Sequence, residues 1–187
     1  MTGREVLIGV SGGIAAYKSA ALVSRLVQAG AGVTVVMSRA AVKLIGPKTF
    51  EALTGRPVGL RTFGPGGHPH IELARRAELL CIAPATANLL AKAALGIADD
   101  LLSTVLLSFE GPVLIAPAMN AAMWEKPAVQ RNIKQLRADG VLLIDPEKGR
   151  LSCGEAGTGR MAEPEAIFHV IAATLEKTAR PGSVASG

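Results

Sequence analysis

The spacing of apolar residues along the chain predicts strands that alternate with helices. Short apolar runs, typical of buried parallel strands, cover Val6–Val10, Val33–Met37, Leu79–Ala83, Pro112–Ala116 and Val141–Ile144. Apolar positions at helical spacing predict helices over Ile14–Ala29, Ala40–Leu53 (with a break at Gly46-Pro47), Ile71–Ala77, Ala91–Leu95, Asp99–Leu107, Lys126–Ala138 and Glu163–Lys177. This alternation predicts an α/β fold of the doubly wound kind, Rossmann-like or flavodoxin-like, with helices on both faces of one parallel sheet.

Two stretches do not follow the alternation. Lys148–Met161 contains four glycines and few apolar residues, so we expect a flexible, exposed loop rather than part of the core. Residues 178–187 have the composition of a linker or frayed tail. The sequence therefore predicts a single domain over residues 1–177, followed by that tail.

Composition and charge narrow the classes of function. The net charge is +5, but the basic residues are scattered, and one Tyr and one Trp offer little surface for base stacking. We therefore expect no nucleic-acid partner, and a basic surface with some preference for anionic small molecules. No apolar run is long enough to span a bilayer, and no signal-peptide pattern opens the chain. With two distant cysteines and no disulfide framework, we expect a cytoplasmic protein without a membrane partner.

The loop after the first predicted strand indicates a phosphate site. Ser11-Gly12-Gly13 precedes a helix, but the spacing departs from the dinucleotide fingerprint, and Ser38-Arg39 stands where an acidic residue would hold a ribose. The P-loop pattern also fails, because Tyr17 occupies the position that requires glycine. Backbone N–H groups at a helix start suit one phosphate monoester, so FMN fits better than NAD. A plain tight turn is the alternative.

The stretch Ile115–Trp124 places an amide among apolar groups. Pro117 lacks an N–H and should end the fourth strand, so Asn120 follows on a turn, with Met119 and Met123 beside it. Such an amide suits the carboxylate or amide of a small molecule. In the alternative, Asn120 caps the next helix and the methionines belong to the core.

His70 and Cys153 are the candidates for chemistry. His70 lies at or just before a predicted helix, where an imidazole can transfer protons near neutral pH. The neighbouring His68 suggests a metal, but no third ligand of the right type is evident, so we expect none. Cys153 lies in the glycine-rich stretch with Arg150 and Arg160, which favours a reactive thiol. A bland loop histidine and an idle surface thiol are the alternatives.

Six motifs in register extend the picture over about residues 5 to 177. They are Gly9-Val-Ser-Gly-Gly-Ile-Ala-Ala-Tyr-Lys18, His70-Ile-Glu-Leu73, Ala83-Pro-Ala-Thr-Ala-Asn88, Gly96-Ile-Ala-Asp-Asp-Leu-Leu-Ser-Thr104, Pro117-Ala-Met-Asn-Ala-Ala-Met-Trp124 and Cys153-Gly-Glu-Ala-Gly-Thr-Gly-Arg-Met161. Together they resemble the motifs of the homo-oligomeric flavin-containing cysteine decarboxylases.

The resemblance implies a cofactor and a set of site residues. FMN would bind through its phosphate and its ring to Ser11, Gly12, Gly13, Ile14, Ser38, Thr86, Ala87, Asn88, Leu89 and Ala118. His70 would be the catalytic base, Asn120 would hold the substrate carboxylate, and Cys153 would donate a proton from a closing loop. Further substrate contacts would come from Met123, Arg75 and Ser152. Members of this family form trimers, often assembled into dodecamers.

The resemblance also implies a reaction. A thiol carbon is oxidised to a thioaldehyde, CO₂ is lost from the neighbouring carbon, and the ene-thiol is reduced again. Cys153 favours the branch of the family that acts on a small-molecule thiol in coenzyme A biosynthesis. Many bacterial relatives fuse this domain to a ligase, so a fused or separate ligase is an expected partner. Oxidative decarboxylation of a peptide C-terminal cysteine, and a non-catalytic flavin-binding regulatory role, are the alternatives.

Overall fold

The computed structural model describes residues 1–63, 68–150 and 156–178, and its centre is a parallel sheet of five strands. The strands are β1 (Glu5–Val10), β2 (Gly32–Met37), β3 (Leu79–Ala85), β4 (Val113–Pro117) and β5 (Leu142–Leu143). They lie in the order β2-β1-β3-β4-β5. This is the flavodoxin-like order, in which the direction of winding reverses between β1 and β3. The predicted fold class is confirmed.

Helices cover both faces of the sheet. They are α1 (Ala16–Gln28), α2 (Pro47–Thr54), α3 (Pro69–Arg76), α4 (Ala87–Leu95), α5 (Leu101–Ser108), α6 (Ala121–Trp124), α7 (Pro127–Ala138) and α8 (Pro164–Lys177), with a short 3-10 helix at Ala41–Lys43. Side chains of α1, α2 and α8 pack in one core, and those of α4, α5 and α7 pack in the other. Alternate residues of β1, such as Ile8 and Leu7, enter opposite cores because successive strand residues point to opposite faces.

Local sequence signals explain where several helices begin. The Asp100 carboxylate accepts a hydrogen bond from the Ser103 N–H at 2.8 Å, and the Ser103 Oγ accepts one from the Asp100 N–H at 3.1 Å, so α5 starts with a capping box. Thr86 caps α4, which therefore begins four residues before the predicted Ala91. The predicted break at Gly46-Pro47 is confirmed, although the segment before it forms only a single 3-10 turn.

The prediction of an exposed loop over Lys148–Met161 is wrong for the part that the structure describes. Strand β6 (Glu147–Arg150) pairs antiparallel with β7 (Ala156–Arg160), and Met161 is buried in the core of α1 and α8. The glycines suggested a flexible loop, whereas in β7 they allow another segment to approach the strand closely. Residues 151–155 lie outside the described residues, as do 64–67 and all but Thr178 of the predicted tail.

No helix within the described ranges is long and apolar enough to cross a membrane. Cys81, on β3, is fully buried, and burial raises the pKa of its thiol to about 12. This thiol therefore stays protonated and acts as a small apolar side chain, as expected for a cysteine within a core strand.

An ionic cluster lies at the end of the sheet where β1 begins. Arg56 donates to both carboxylate oxygens of Glu5, at 2.6 and 2.9 Å, and Arg76 lies 3.4 Å from the same carboxylate. Hydrogen bonding to Arg56 is the largest cause that lowers the pKa of Glu5 below its ordinary value of 4.5. Because the folded protein holds this proton less tightly than the unfolded chain, the stabilisation is present above about pH 4.5 and is lost as the pH falls through the lowered folded value.

We expect Arg56→Met to reduce the free energy of unfolding at pH 7 by about 1 kcal/mol, the range of a charge-assisted pair that is partly exposed. Below the folded pKa of Glu5 the difference from wild type should shrink, because the carboxyl is then neutral. Urea unfolding between pH 7 and pH 3 measures both effects. Arg131→Met, on the exposed face of α7, is the matched control. An equal loss of stability at both pH values would contradict the assignment.

Candidate functional site: a cleft at the carboxyl ends of the central strands

Ser11 joins the ends of the two central strands. Its hydroxyl donates to the Pro84 carbonyl oxygen at 2.8 Å and accepts from the Thr86 N–H at 2.9 Å, while its own N–H donates to the same Pro84 oxygen. The side chain is almost wholly buried. The loop after β1 is therefore fixed against the loop after β3, at the point where the sheet reverses its winding.

The glycines that follow leave the floor of this region free of side chains. A Cβ on Gly12 would lie 2.2 Å from the Cβ of Ala40, so only glycine allows this approach. A Cβ on Gly13 would face Thr86, Pro84 and the Ala118 carbonyl oxygen at 3.4 to 3.9 Å. Three chain segments thus surround a space that any other residue would partly fill.

Backbone donors line the start of α1. Within the described part of the chain, the N–H groups of Gly12, Ile14 and Ala15 have no hydrogen-bond acceptor. Such orphan donors at a helix N-terminus, together with the helix dipole, favour an anion.

The end of β4 supplies the opposite wall. The Ala118 N–H donates to the Ala85 carbonyl oxygen at 2.9 Å, which carries the chain beyond Pro117 alongside β3. Asn120 then starts α6, and its Oδ1 accepts from the Met123 N–H at 3.2 Å. Asn120 therefore caps α6 and also lies beside the cleft, so the two alternatives drawn from the sequence do not exclude each other.

Strand β7 clasps this Asn120 turn from outside. The Met119 N–H donates to the Gly159 carbonyl oxygen at 2.9 Å. Gly159 has φ +150°, and a Cβ there would lie within 2.3 Å of the Met119 carbonyl oxygen. A Cβ on Gly157 would lie 2.6 Å from that of Ala121. Both glycines are needed for the strand to approach the turn so closely.

These segments enclose a cleft of about 640 Å³, within the range of small-molecule sites. The residues lining it are Gly12, Gly13, Ile14, Ala15, Tyr17, Lys18, Thr86, Ala87, Ala118, Met119, Asn120, Met123, Gly159, Arg160 and Met161. Most of this lining is apolar, and the residues at its base are small. It suits a flat ring system with an anionic group at the start of α1.

The Glu163 carboxylate pairs with both cations of the cleft wall, Lys18 and Arg160. Lys18 Nζ lies 2.9 Å from Glu163 Oε1, and the Arg160 guanidinium pairs with the same oxygen. Hydrogen bonding to Lys18 is the largest cause that lowers the pKa of Glu163, and Arg160 adds to it. The carboxylate is therefore ionised at neutral pH, and the cluster keeps an excess of positive charge beside the cleft.

The structure brings many of the predicted residues together. Those that line the cleft are Gly12, Gly13, Ile14, Thr86, Ala87, Ala118, Asn120 and Met123. Ser11 lies behind this lining, with its hydroxyl engaged between the strands. The Ser38 hydroxyl accepts from the Ala41 N–H at 3.2 Å. Asn88 is exposed, and Leu89 is buried in the core of α4. The cofactor and substrate contacts of all these residues stay predictions.

His70 and Arg75 lie on α3 and do not line this cleft. The Nδ1 atom of His70 is buried and has no hydrogen-bond partner within the described residues, and its ring meets the His68 ring edge to face. Ser152 and Cys153 lie outside the described residues. Their predicted roles stay predictions. No group of three or more His, Cys, Asp or Glu side chains in the described ranges is placed to hold a metal.

The sequence predictions missed part of the lining. The missed residues are Ala15, Tyr17, Lys18, Gly159, Arg160 and Met161, whereas Met119 was expected beside Asn120. A signal existed for the first three, because the opening turn of the helix after a glycine loop faces the ligand in doubly wound folds. Gly159 to Met161 could be placed only once the contact between β7 and the Asn120 turn was known.

The residues fit a flavin mononucleotide. Free backbone donors at the start of α1 are available for its phosphate, and the cleft base, built from Gly13, Ala87 and Ala118, leaves room for a planar ring. A reversal of winding between β1 and β3 is where open sheets of this order bind their ligands.

Comparison with known proteins defines the class. A family model described as Flavoprotein matches residues 1–176, and the chain belongs to this family. It is 51% identical over 170 residues to the coenzyme A biosynthesis bifunctional protein CoaBC of Bacillus subtilis, covering 89% of this chain and 42% of that protein. The chain thus spans about two fifths of the length of this relative.

Two solved structures share the fold closely. A Cys-to-Ser mutant of PPC decarboxylase, complexed with pantothenoylaminoethenethiol, has a TM-score of 0.83 at 33% identity, covering 92% of this chain and 98% of that one. The FMN-dependent cysteine decarboxylase SpaF has a TM-score of 0.80 at 38% identity, covering 93% of this chain and 98% of that one.

We expect Gly159→Ala to lower the free energy of unfolding by about 2 kcal/mol, because the new methyl group would collide with the Met119 carbonyl and disfavour the backbone conformation. Gly140→Ala is the matched control: it also has a positive φ, of +85°, but a Cβ there meets nothing within 4 Å. Urea unfolding of both variants separates the collision from the backbone cost. Equal losses in the two variants would refute the proposed clasp.

Proposed function

We propose that this protein decarboxylates 4′-phosphopantothenoyl-L-cysteine to 4′-phosphopantetheine, with FMN as its cofactor, as a step of coenzyme A biosynthesis. The observation that carries the proposal is the cleft itself, in which a site for an anion at the start of α1 lies beside an apolar pocket and Asn120. The likeness to CoaBC and to PPC decarboxylase supports the same reaction. Such a role agrees with the cytoplasmic location predicted from the sequence.

The chemistry explains why a flavin is needed. A carboxylate next to the carbon that bears CH₂SH has no electron sink, so direct loss of CO₂ would leave an unstabilised carbanion. When bound, FMN would supply a two-electron acceptor for oxidation of the carbon attached to sulfur. The carboxylate then lies β to a C=S group, and the carbanion is delocalised onto sulfur.

The residues of the chain would bind, orient and move protons. The Asn120 amide would hold the substrate carboxylate roughly perpendicular to the new π system, beside the apolar Met123 side chain. His70 would assist removal of the thiol proton. Cys153 would supply the proton when the ene-thiol is reduced to the thiol, and the two electrons that FMN had accepted would provide the accompanying hydride. Arg75 and Ser152 would contribute further contacts to the substrate. Apolar walls around the cleft would limit access of water to the reacting atoms.

A single chain does not place His70 in the cleft, so we propose that the active form is a homo-oligomer, a trimer or a dodecamer built from trimers. Two observations support an assembly. The His70 Nδ1 is buried without a partner among the described residues, and apolar Ile14 and Tyr17 at the cleft are about 60% exposed. Sedimentation velocity of the purified protein tests the assembly. A ligase that supplies the cysteine conjugate, fused or separate, is the expected partner in the pathway.

Mass spectrometry of the reaction tests the function directly. The purified protein should be yellow, and incubation with 4′-phosphopantothenoyl-L-cysteine should release CO₂ and give 4′-phosphopantetheine. A peptide that ends in cysteine is the parallel substrate. Decarboxylation of the peptide alone would indicate the oxidative branch instead, and flavin binding without turnover of either would indicate a regulatory protein. A colourless protein that cannot take up FMN would end the proposal.

Cys153→Ser should lose CO₂ normally but stop at the ene-thiol product, because serine is a much weaker proton donor than cysteine. The ene-thiol is two mass units lighter than 4′-phosphopantetheine, so mass spectrometry separates them. The pantothenoylaminoethenethiol bound to the Cys-to-Ser mutant of PPC decarboxylase supports this expectation. Cys81→Ser, in the core, is the matched control for loss of a thiol. A wild-type yield of 4′-phosphopantetheine from the Cys153 variant would remove Cys153 from the mechanism.

His70→Asn should fail earlier, before any CO₂ is released, because the imidazole assists the oxidation that precedes decarboxylation. We expect a loss of at least about 100-fold in kcat, the lower range for removal of a general base. Neighbouring His68→Asn controls for the change of ring to amide. Detection of CO₂ at the wild-type rate from the His70 variant would exclude this role.

A further inference from the structure

Glu163 occupies the N-cap position of α8, yet its side chain does not cap that helix. Its carboxylate turns away from the helix and reaches Lys18 on α1 and Arg160 on β7. Glutamate is an unusual residue at an N-cap, where Ser, Thr, Asp and Asn are preferred. The side chain therefore has another use.

The backbone of Glu163 is held from a third side. Its N–H donates to Glu147 Oε1 on β6 at 3.1 Å, so the carboxylate of a neighbouring strand satisfies the donor. Glu163 thus connects three elements around the cleft: helix α1 and the two antiparallel strands β6 and β7. The bond to Glu147 fixes the backbone of Glu163, and its side chain is left to contact the two cations.

Lys18 depends on this contact. Its side chain is only 11% exposed, and Glu163 is the one acceptor of its ammonium group within the described residues. Arg160 is 41% exposed and shares the same carboxylate oxygen. Without a negative charge between them, the two cations would repel each other, and the more exposed guanidinium would be free to turn into solvent.

We propose that Glu163 is a positioning residue of the cleft, which holds the Lys18 ammonium and the Arg160 guanidinium on its wall for an anionic ligand. A cation that is already in place loses less side-chain freedom when a ligand binds, so the carboxylate improves binding although it carries the same sign of charge as the ligand. The inference rests on the proposed function for the identity of that ligand. It makes Glu163 important for KM and leaves the chemical step to other residues.

The test uses the substitution Glu163→Gln, which keeps the size of the side chain and removes its charge. Glu165→Gln is the matched control, because Glu165 lies on the same helix and pairs with Arg25 at the surface. Steady-state kinetics on 4′-phosphopantothenoyl-L-cysteine should show KM raised roughly tenfold in the Glu163 variant, the scale of one charge-assisted hydrogen bond, with kcat within about twofold. Glu163→Asp, which retains the charge, should fall between wild type and the Gln variant. An unchanged or lowered KM in Glu163→Gln overturns the inference.

A second measurement does not depend on turnover. Acylation of lysines by an amine-reactive ester, followed by peptide mass spectrometry, reports the freedom of Lys18 relative to Lys48, whose side chain is 93% exposed. Glu163→Gln should raise the labelling rate of Lys18 several-fold, and Glu165→Gln should not. Equal labelling in wild type and Glu163→Gln contradicts the inference. If Glu163→Gln raises the labelling rate of Lys18 but the wild-type protein does not turn over the substrate, the positioning role stands and the proposed function is refuted.

A double substitution separates positioning from a general structural role. If Glu163 acts through the two cations, Glu163→Gln should raise KM by a smaller factor in the Lys18→Met background than in wild type, because only the contact with Arg160 is left to lose. Purely structural damage would instead add to the effect of the first substitution and lower the unfolding midpoint of both variants. Additive effects on KM would therefore overturn the inference.

Discussion

The hydroxyl of Ser11 is the contact on which the cleft depends. Beyond Ile82 the pairing of β3 with β4 is irregular, and Pro84 has no N–H with which to continue a ladder. Ser11 bridges this place, since its hydroxyl both donates to the Pro84 carbonyl and accepts from the Thr86 N–H. The two loops that open α1 and α4 are thereby fixed relative to each other. The sheet reverses its winding here, so the two helix starts face one common space.

Glycine determines what can enter that space. Gly12 lies against Ala40, and Gly13 faces the loops after β3 and β4, so the base of the cleft is backbone rather than side chain. On the other side, Gly157 and Gly159 let β7 lie against the turn that carries Asn120. Glycines therefore define two sides of one pocket. In both places the reason is the close approach of another segment, which a methyl group would prevent.

The sequence was sufficient to predict the strands, the main helices and the family of motifs, because those signals are local. Buried strands appear as continuous apolar runs, and Asp100 with Ser103 marks a helix start within four residues. The ribbon of β6 and β7 was missed, because glycines in a strand and glycines in a turn look alike until the opposing segment is known. The structural role of Ser11 was not predicted for a similar reason: a serine after a strand suggests a phosphate contact, and the bonds of its hydroxyl to another strand appear only once the fold is known. Its predicted phosphate contact stays a prediction.

The side chains that line the described part of the cleft explain why we propose an assembly of chains. The described residues that line the cleft include no His, Asp or Glu, the side chains that most often serve as general bases. The Asn120 amide can orient a carboxylate by hydrogen bonding, but it cannot act as the base that removes a proton. The proposed reaction would therefore take its base from elsewhere, and His70 on α3, whose buried Nδ1 has no partner among the described residues, is the proposed candidate. On the proposed function, an oligomer would therefore serve the chemistry, because association of chains would bring a proton acceptor to a cleft that by itself binds and orients.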